Sequence, residues 1–390
     1  MTFLWATIVV IGIIVMVHEL GHYLAARSVG VRVERFSVGF PPRFLTFTSV
    51  ENGWAFRLFF YKKTSAGLEW QPVYTHTFSS QGKKGSGTEY CLALIPLGGY
   101  VKMAGVIDES MDTNITHAPD EFASKSPLAQ MWIMSAGVLM NIVLAFTIYT
   151  GIALYTGIPE VSTEPMIAKL IPDYPAEKAG LTPGDKVLRV NGESVDTWKD
   201  MTTIIHALPN SDILLTVEQE AHQKDFLIHS TFQTVVNDGK IDTLGFIGIA
   251  PEITYRESSI PEAIFAGVRS TGYGLGLIVT SVRMLITGDA SMKDMGGPIM
   301  IAQWAGETAK AGWIPLLGFM ALISVNLAFI NILPIPALDG GHILITAIQA
   351  IIRKPISLRV RMIIQQIGMA FLLVLMITVI FNDVLRLFGN

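Results

Sequence analysis

The sequence predicts a polytopic α-helical membrane protein of about four crossings, with a membrane-associated β-hairpin or sheet after the first crossing and an extracytoplasmic α+β domain between the second and third. Two observations carry most of that expectation. Of 390 residues, 51% are hydrophobic and only 15% charged, with a mean hydropathy of +0.47, a balance far from that of a soluble enzyme of this length. The apolar residues are also concentrated, in 3–17, 131–155, 314–333 and 363–381. Each run is long enough, or nearly so with its flanks, to cross ~30 Å of hydrocarbon. The net charge of −4 shows no basic patch that would suggest a nucleic acid partner. Cys91 is the single cysteine, so no internal disulfide exists.

The first segment, 1–26, lacks a basic leader and a convincing small-x-small cleavage site, so it is expected to be a retained anchor. It carries His18, Glu19 and His22 in the pattern His-Glu-x-x-His. Four residues apart on a helix, both imidazoles leave one face and can share a tetrahedral Zn²⁺, with Glu19 beside them as a proton acceptor. An isolated histidine on an apolar face is usually a core residue with its hydrogen bonds satisfied. Three titratable groups at membrane depth, however, are expensive unless they serve chemistry.

Residues 27–127 form the membrane-associated β region on the cytoplasmic side. VRVERFSVGF (31–40) alternates with period two, and YCLALIPLGGYV contains Gly98 and Gly99 as a bend or bulge. An insertion at 42–86, with the aromatic run FRLFFY and the flexible tract SSQGKKGSG, reads as an extension of a cytoplasmic sheet. The second crossing occupies 128–157. Residues 158–236 form the outer domain, where Gly184-Asp185 and Asn191-Gly192 are turn signals between apolar runs. In the linker 237–313, Ala263–Ile286 is glycine-rich and interrupted by Arg269 and Arg283, so it is expected as an amphipathic helix on the membrane surface or against the bundle.

The third crossing, within 314–350, runs into NILPIPALDGGH (331–342). Pro334 and Pro336 remove two backbone donors, and a break at membrane depth is tolerated only where it is buried in protein or lines a cavity. Such a break aims Asp339 inward as the third metal ligand, leaving a fourth position for water. His342 lies past the turn and ranks below it. A simple solvated Asp-Gly turn is the plainer alternative. Residues 351–390 hold a basic loop (Arg353, Lys354, Arg359, Arg361) and the fourth crossing. The basic loop should be cytoplasmic, which puts both termini outside; Arg27, Arg32 and Arg35 support that assignment. His18 then lies roughly 20 Å along the first helix, toward the cytoplasmic half of the bilayer.

Taken together, HELGHYLAAR, GTEYCLALIPLGGYVKM (Gly87–Met103) and NILPIPALDGGH, with the segments at 122–141 and 285–302, resemble the site-2 protease family of zinc intramembrane metalloproteases. The resemblance implies one Zn²⁺ held by His18, His22 and Asp339, and Glu19 as general base and acid. It implies that Asn331 positions the substrate backbone, with Pro334, Gly98 and Gly99 also contacting substrate. Pro165–Gln233 is similar to a bacterial PDZ domain, with Met166, Ile167, Ala168, Lys169 and Leu170 as the candidate groove strand. The activity implied is cleavage of single-span membrane proteins after a first cut, such as an anti-sigma factor or signal-peptide remnants, in a bacterial inner membrane with lipid as the surrounding partner.

Three departures stand out. Only one PDZ-like unit fits where such enzymes often carry two, the insertion 42–86 is long, and Val138 follows Gly137 where proline is common. Two other classes compete: an inactive PDZ-bearing scaffold, and a metal or solute transporter using the same ligands at a helix break. Against the transporter stands the glutamate of the motif, which a transport site does not need.

Overall fold

A computed structural model describes residues 2–64, 67–79, 85–106, 116–220, 222–237, 240–291, 295–354 and 356–388. The chain divides into two compact units, residues 1–152 with 265–390, and residues 153–264.

In the first unit, α1 (Thr2–Ser28) is a continuous apolar helix. It ends where Gly30 takes a positive φ of 70°. There the Val31 N–H returns to the Ala26 carbonyl at 2.8 Å and the Gly30 N–H to that of Arg27 at 3.2 Å, the paired closure that a left-handed residue permits. Four strands follow: β1 (Val33–Val50), β2 (Gly53–Thr64), β3 (Gly67–Ser79) and β4 (Glu89–Met103). They form one antiparallel sheet in the order β3-β2-β1-β4. The insertion 42–86 is thus the second half of β1 with β2 and β3, the sheet extension expected of it; part of its SSQGKKGSG tract lies outside the described residues. Alternation sorts its side chains. Leu45 and Phe47 stand opposite Leu58 and Phe56, with Trp54, Tyr74 and Phe78 on the same face. Phe47, Trp54, Tyr74 and Phe78 are exposed, which suits a sheet lying against lipid.

Helix α2 (Pro127–Thr156) runs antiparallel to α1. Their backbones approach closely: a Cβ placed on Gly21 would lie 2.4 Å from the Ala136 carbonyl oxygen.

The second unit has its own apolar core. Its elements are β5 (Ile158–Val161), β6 (Lys169–Leu170), α3 (Pro175–Lys178), β7 (Lys186–Val190), β8 (Glu193–Ser194), α4 (Trp198–His206), β9 (Asp212–Gln219), β10 (His222–His229), β11 (Thr231–Asn237), β12 (Lys240–Phe246), β13 (Ile249–Ala250) and β14 (Ile253–Arg256). The main sheet has the order β10-β9-β7-β8. Ile167, Val187, Met201, Ile213, Leu215 and Ile247 pack beneath it. A reciprocal Thr197–Asp200 capping box starts α4. The expected limits of 158–236 are too narrow. β14 pairs with β5 and β13 with β6, so residues placed in a linker close the domain onto its own first strands.

The chain returns to the first unit through α5 (Ile260–Thr287), α6 (Pro298–Ala311), α7 (Trp313–Ile332), α8 (Asp339–Ile352) and α9 (Leu358–Phe388). Among the described residues, α1, α2, α5, α7 and α9 are long and apolar enough to cross a membrane, by length and composition. α5 covers the segment expected as an amphipathic helix at Ala263–Ile286, and at 28 residues it is longer than that expectation. It lies against the bundle: Gly267 abuts Thr150 of α2, and Ile278 packs with Ala145, Ala321 and Val325.

Helix directions follow from side-chain neighbours. His18 and His22 of α1 meet Asn141 and Ile133 of α2 in reverse order. α7 runs with α1, placing Phe319 and Met320 beside Ala6, Val10 and Ile14, and Asn331 beside His18. α9 runs against it, with Gly368 against Pro336 and Asp383 at the start of α6. The Asp383 carboxylate accepts the N–H groups of Gly297, Ile299 and Met300 at 3.0–3.2 Å, satisfying donors that α6 leaves unpaired at its N-terminus. α6 also packs Gly306 against Phe3. The chain therefore leaves α2 and re-enters α6 at one and the same end of the bundle, where α1 begins and α9 finishes.

Candidate metal centre

Three elements bring the donors together. α1 presents His18 and His22 one turn apart, both buried. α7 stops at Ile332, since Leu333 precedes Pro334 and adopts the extended conformation (φ −60°, ψ 142°) that a following proline imposes. After the break, Asp339 opens α8. The packing of Pro336 against Gly368 supports that break from the side of α9.

The resulting geometry is compact. His18 Nε2 and His22 Nε2 are 3.2 Å apart, and Asp339 Oδ2 lies 3.1 Å from the first and 3.3 Å from the second. A triangle with sides averaging 3.2 Å has corners about 1.9 Å from its centre (side over √3), close to the ~2.0–2.1 Å that zinc keeps from nitrogen and oxygen. Asp339 Oδ2 is buried and has no hydrogen-bond partner among the described residues. Such a stranded carboxylate oxygen is costly unless something positive sits before it. Two imidazole nitrogens face each other across the same point, and a shared cation relieves that arrangement as well. The donors therefore fit zinc.

The surrounding groups orient these ligands. His22 Nδ1 lies 2.8 Å from the Ile133 carbonyl, to which it donates, leaving the Nε2 lone pair free. Gly137 of α2 sits directly against the pair: a Cβ there would lie 2.5 Å from His22 Nε2 and 2.7 Å from His18 Cε1. Sequence reading passed over Gly137 as a site residue because glycine carries no chemistry of its own. The available signal was spacing, since Ile133, Gly137 and Asn141 repeat every four residues, as His18 and His22 do.

Glu19 lies between the donors and the sheet. Its Oε2 accepts the Val101 N–H of β4 at 3.0 Å. Beside it opens a cavity of about 660 Å³ lined by Glu19, His22, Gly99, Tyr100, Asn331 and Asp339, among others. Asn331 points inward, with Nδ2 3.3 Å from His18 Nε2. Gly98 is buried at φ 119°, its position 3.3 Å short of Val15 for any added Cβ. His342 lines the cavity without joining the three-donor cluster. Pro334 does not reach it: the residue is exposed and outside the lining, because its ring breaks the helix on the outer side of the turn.

On β4 itself, Tyr90 donates to or accepts from Tyr23 at 2.6 Å, and burial together with that bond pushes its phenol up to about 12. Burial also raises the Cys91 thiol, which makes it a packing residue and not a nucleophile.

In the second unit the groove assignment fails. The Ile167 N–H donates to Asp185 and the Pro165 carbonyl accepts from Val187 on one side, while the Ala168 N–H donates to Ala250 on the other. Lys169 and Leu170 pair with β13, Met166 bridges to Lys186, and Ile167 has no exposed surface. Met166–Leu170 is an interior strand with both edges in use, so it cannot accept a peptide by strand addition.

The sequence profile of peptidase family M50 matches residues 6–66 and 77–375 of this chain. The chain belongs to peptidase family M50, the site-2 proteases. A Clostridium perfringens protein named for zinc metalloprotease activity is 31% identical over 95% of this chain and 95% of its own. Protease RseP of Yersinia pestis is 28% identical, covering 99% of this chain and all of its own length. A solved PDZ domain of an SdrC-like protein from Listeria monocytogenes aligns with 24% of this chain and 92% of its own, at 16% identity and a TM-score of 0.19, an overlap too slight to bear on the fold. Membership in M50 makes the chain a metalloendopeptidase, the relatives' names support zinc, and the long apolar helices suit a transmembrane protein.

Proposed function

We propose that this M50 protease is a zinc-dependent intramembrane endopeptidase in which His18, His22 and Asp339 hold a single zinc and Glu19 is the acid-base group. The observation that carries the reading is the convergence of three donor atoms from α1 and α8 beside Glu19. Zinc bound there supplies Lewis-acid polarisation of the scissile carbonyl and acidifies the attacking water. The Val101 N–H holds Glu19 Oε2 and so orients the carboxylate, which takes the proton from water and returns it to the departing amine nitrogen. Asn331 and Gly99 line the cavity as contacts for the substrate backbone; Gly98 shapes the bend behind them.

Substrate capture is assigned to β4. It ends the sheet order, and its outward side at Val101 faces Glu19 and the cavity. A helical segment hides its carbonyls in its own hydrogen bonds, so a substrate must unwind before it is cut, and strand addition beside the donors would hold it open. The substrates are single-span membrane proteins already shortened by a first cleavage, such as anti-sigma factors or signal-peptide remnants, and the setting is a bacterial inner membrane. Four crossings by α1, α2, α7 and α9 keep both termini outside, with α5 entering the bundle and the chain returning to the same end; the shared end of α2 and α6 supports this. Residues 153–264 then form one outer PDZ-like domain that filters or binds substrates.

The test is cleavage of a tagged, pre-truncated single-span substrate by purified full-length protein. Glu19→Gln should lower the rate at least 10²-fold with bound zinc unchanged. Equal rates in the two proteins would sink the assignment of Glu19. Metal flux into liposomes with no peptide cleavage by either would favour transport.

A further inference from the structure

Asn141 lies on α2 one turn beyond Gly137, with no exposed surface. Its side-chain amide meets His18 at the ring nitrogen away from Asp339: Nδ2 is 3.3 Å from His18 Nδ1, while Oδ1 has no hydrogen-bond partner among the described residues. Its backbone is held independently, since the Ser324 hydroxyl of α7 donates to the Asn141 carbonyl at 2.9 Å.

The two ends of a side-chain amide are told apart by their partners. With the NH₂ toward His18, the ring must accept at Nδ1 and carry its proton on Nε2. That is the atom 3.1 Å from Asp339 Oδ2 and 3.2 Å from His22 Nε2, so the proton would close it to a metal. The same orientation strands the amide oxygen in a buried site. A half turn about the terminal bond removes both faults, because Oδ1 then accepts the His18 Nδ1–H and Nε2 keeps its lone pair.

We infer that Asn141 is a positioning residue that selects the metal-binding tautomer of His18, the part the Ile133 carbonyl plays for His22. The inference deepens the zinc reading above and rests on it. It also explains why the two histidines need different partners. His22 Nδ1 meets the Ile133 carbonyl, whereas His18 Nδ1 meets the side-chain amide of Asn141.

The measurement is zinc affinity of the purified full-length protein by chelator competition, with the visible spectrum of the Co²⁺-loaded form as a second readout. Asn141→Leu, which keeps the bulk but no acceptor, should bind zinc about 10- to 100-fold more weakly and shift the cobalt bands. Asn141→Asp, which offers only acceptor oxygens, should stay within a few-fold of wild type. Ser324→Ala, which removes only the backbone contact, should leave both readouts unchanged. Wild-type affinity in a folded Asn141→Leu overturns the inference, as does an Asn141→Asp protein that folds and is as weak as the leucine variant. Should the leucine protein not fold, the aspartate protein decides alone. A wild type that takes up no zinc would instead defeat the zinc reading itself.

Discussion

The candidate metal centre and the 153–264 unit organise their interiors in opposite ways. Where α1, α2 and α7 meet near His18 and His22, Gly21, Gly137, Asn141 and Ser324 let helices touch and supply hydrogen bonds. Beneath β7 and β9 the neighbours are Met201, Ile213, Leu215 and Val217, a core filled by volume. Inside a bilayer, burying apolar groups gains little because lipid is equally apolar, so close approach and polar satisfaction hold the helices together. In the water-facing pattern of the second unit the hydrophobic effect does that work. Damage to the first region should therefore appear as lost metal, and damage to the second as lost stability.

The sharpest way to break this contrast is Gly137→Ala. One methyl group at 2.5 Å from His22 Nε2 has no room, and because the flanking atoms are those proposed to hold zinc, it should lower zinc affinity beyond the effect of Asn141→Leu. Metal analysis of the purified variant checks this; normal zinc content would mean that α2 can withdraw and that the close approach is not required.

The converse experiment is Met201→Ala. Met201 is fully buried in the second unit, and truncation of such a side chain costs about 2–5 kcal/mol. Urea-dependent proteolysis within 153–264 should shift accordingly, while bound zinc stays at the wild-type level. A parallel loss of zinc would show that the two regions are energetically joined.

The smallest effect concerns a helix start. Thr197→Ala removes the side-chain half of the α4 capping box, worth about 1 kcal/mol. The same proteolysis assay should register it as a modest shift, with Thr197→Ser restoring most of the loss.

How much of this could be read beforehand depends on where the information lies along the chain. His18, Glu19 and His22 were legible because their spacing is a property of one helix. Asp339 was legible because two prolines interrupt an apolar run, and a carboxylate follows at once. α5 was legible as a helix but not in its full length, since its arginines and glycines weaken the average that signals a long apolar helix. Met166–Leu170 was misread because the similarity to a PDZ domain marks it as a groove strand, whereas Asp185, Val187 and Ala250, which occupy its edges, lie 18 to 82 residues along the chain from the residues they bond. Pro334 was grouped with the site by proximity in sequence, and the chain direction at the break turned it outward.

The sequence by itself determined which donor groups converge, because donor type, helical period and a proline break are local properties. It likewise determined that long apolar helices share the chain with a β sheet and a separate α+β domain. Only the tertiary structure decided how α1, α2 and α8 meet, and with it the need for a bare glycine at 137 and an acceptor at 141. Those requirements come from distances between backbones remote in sequence, and a residue whose role is to leave space or to fix a neighbour's proton carries no mark of it in its own identity.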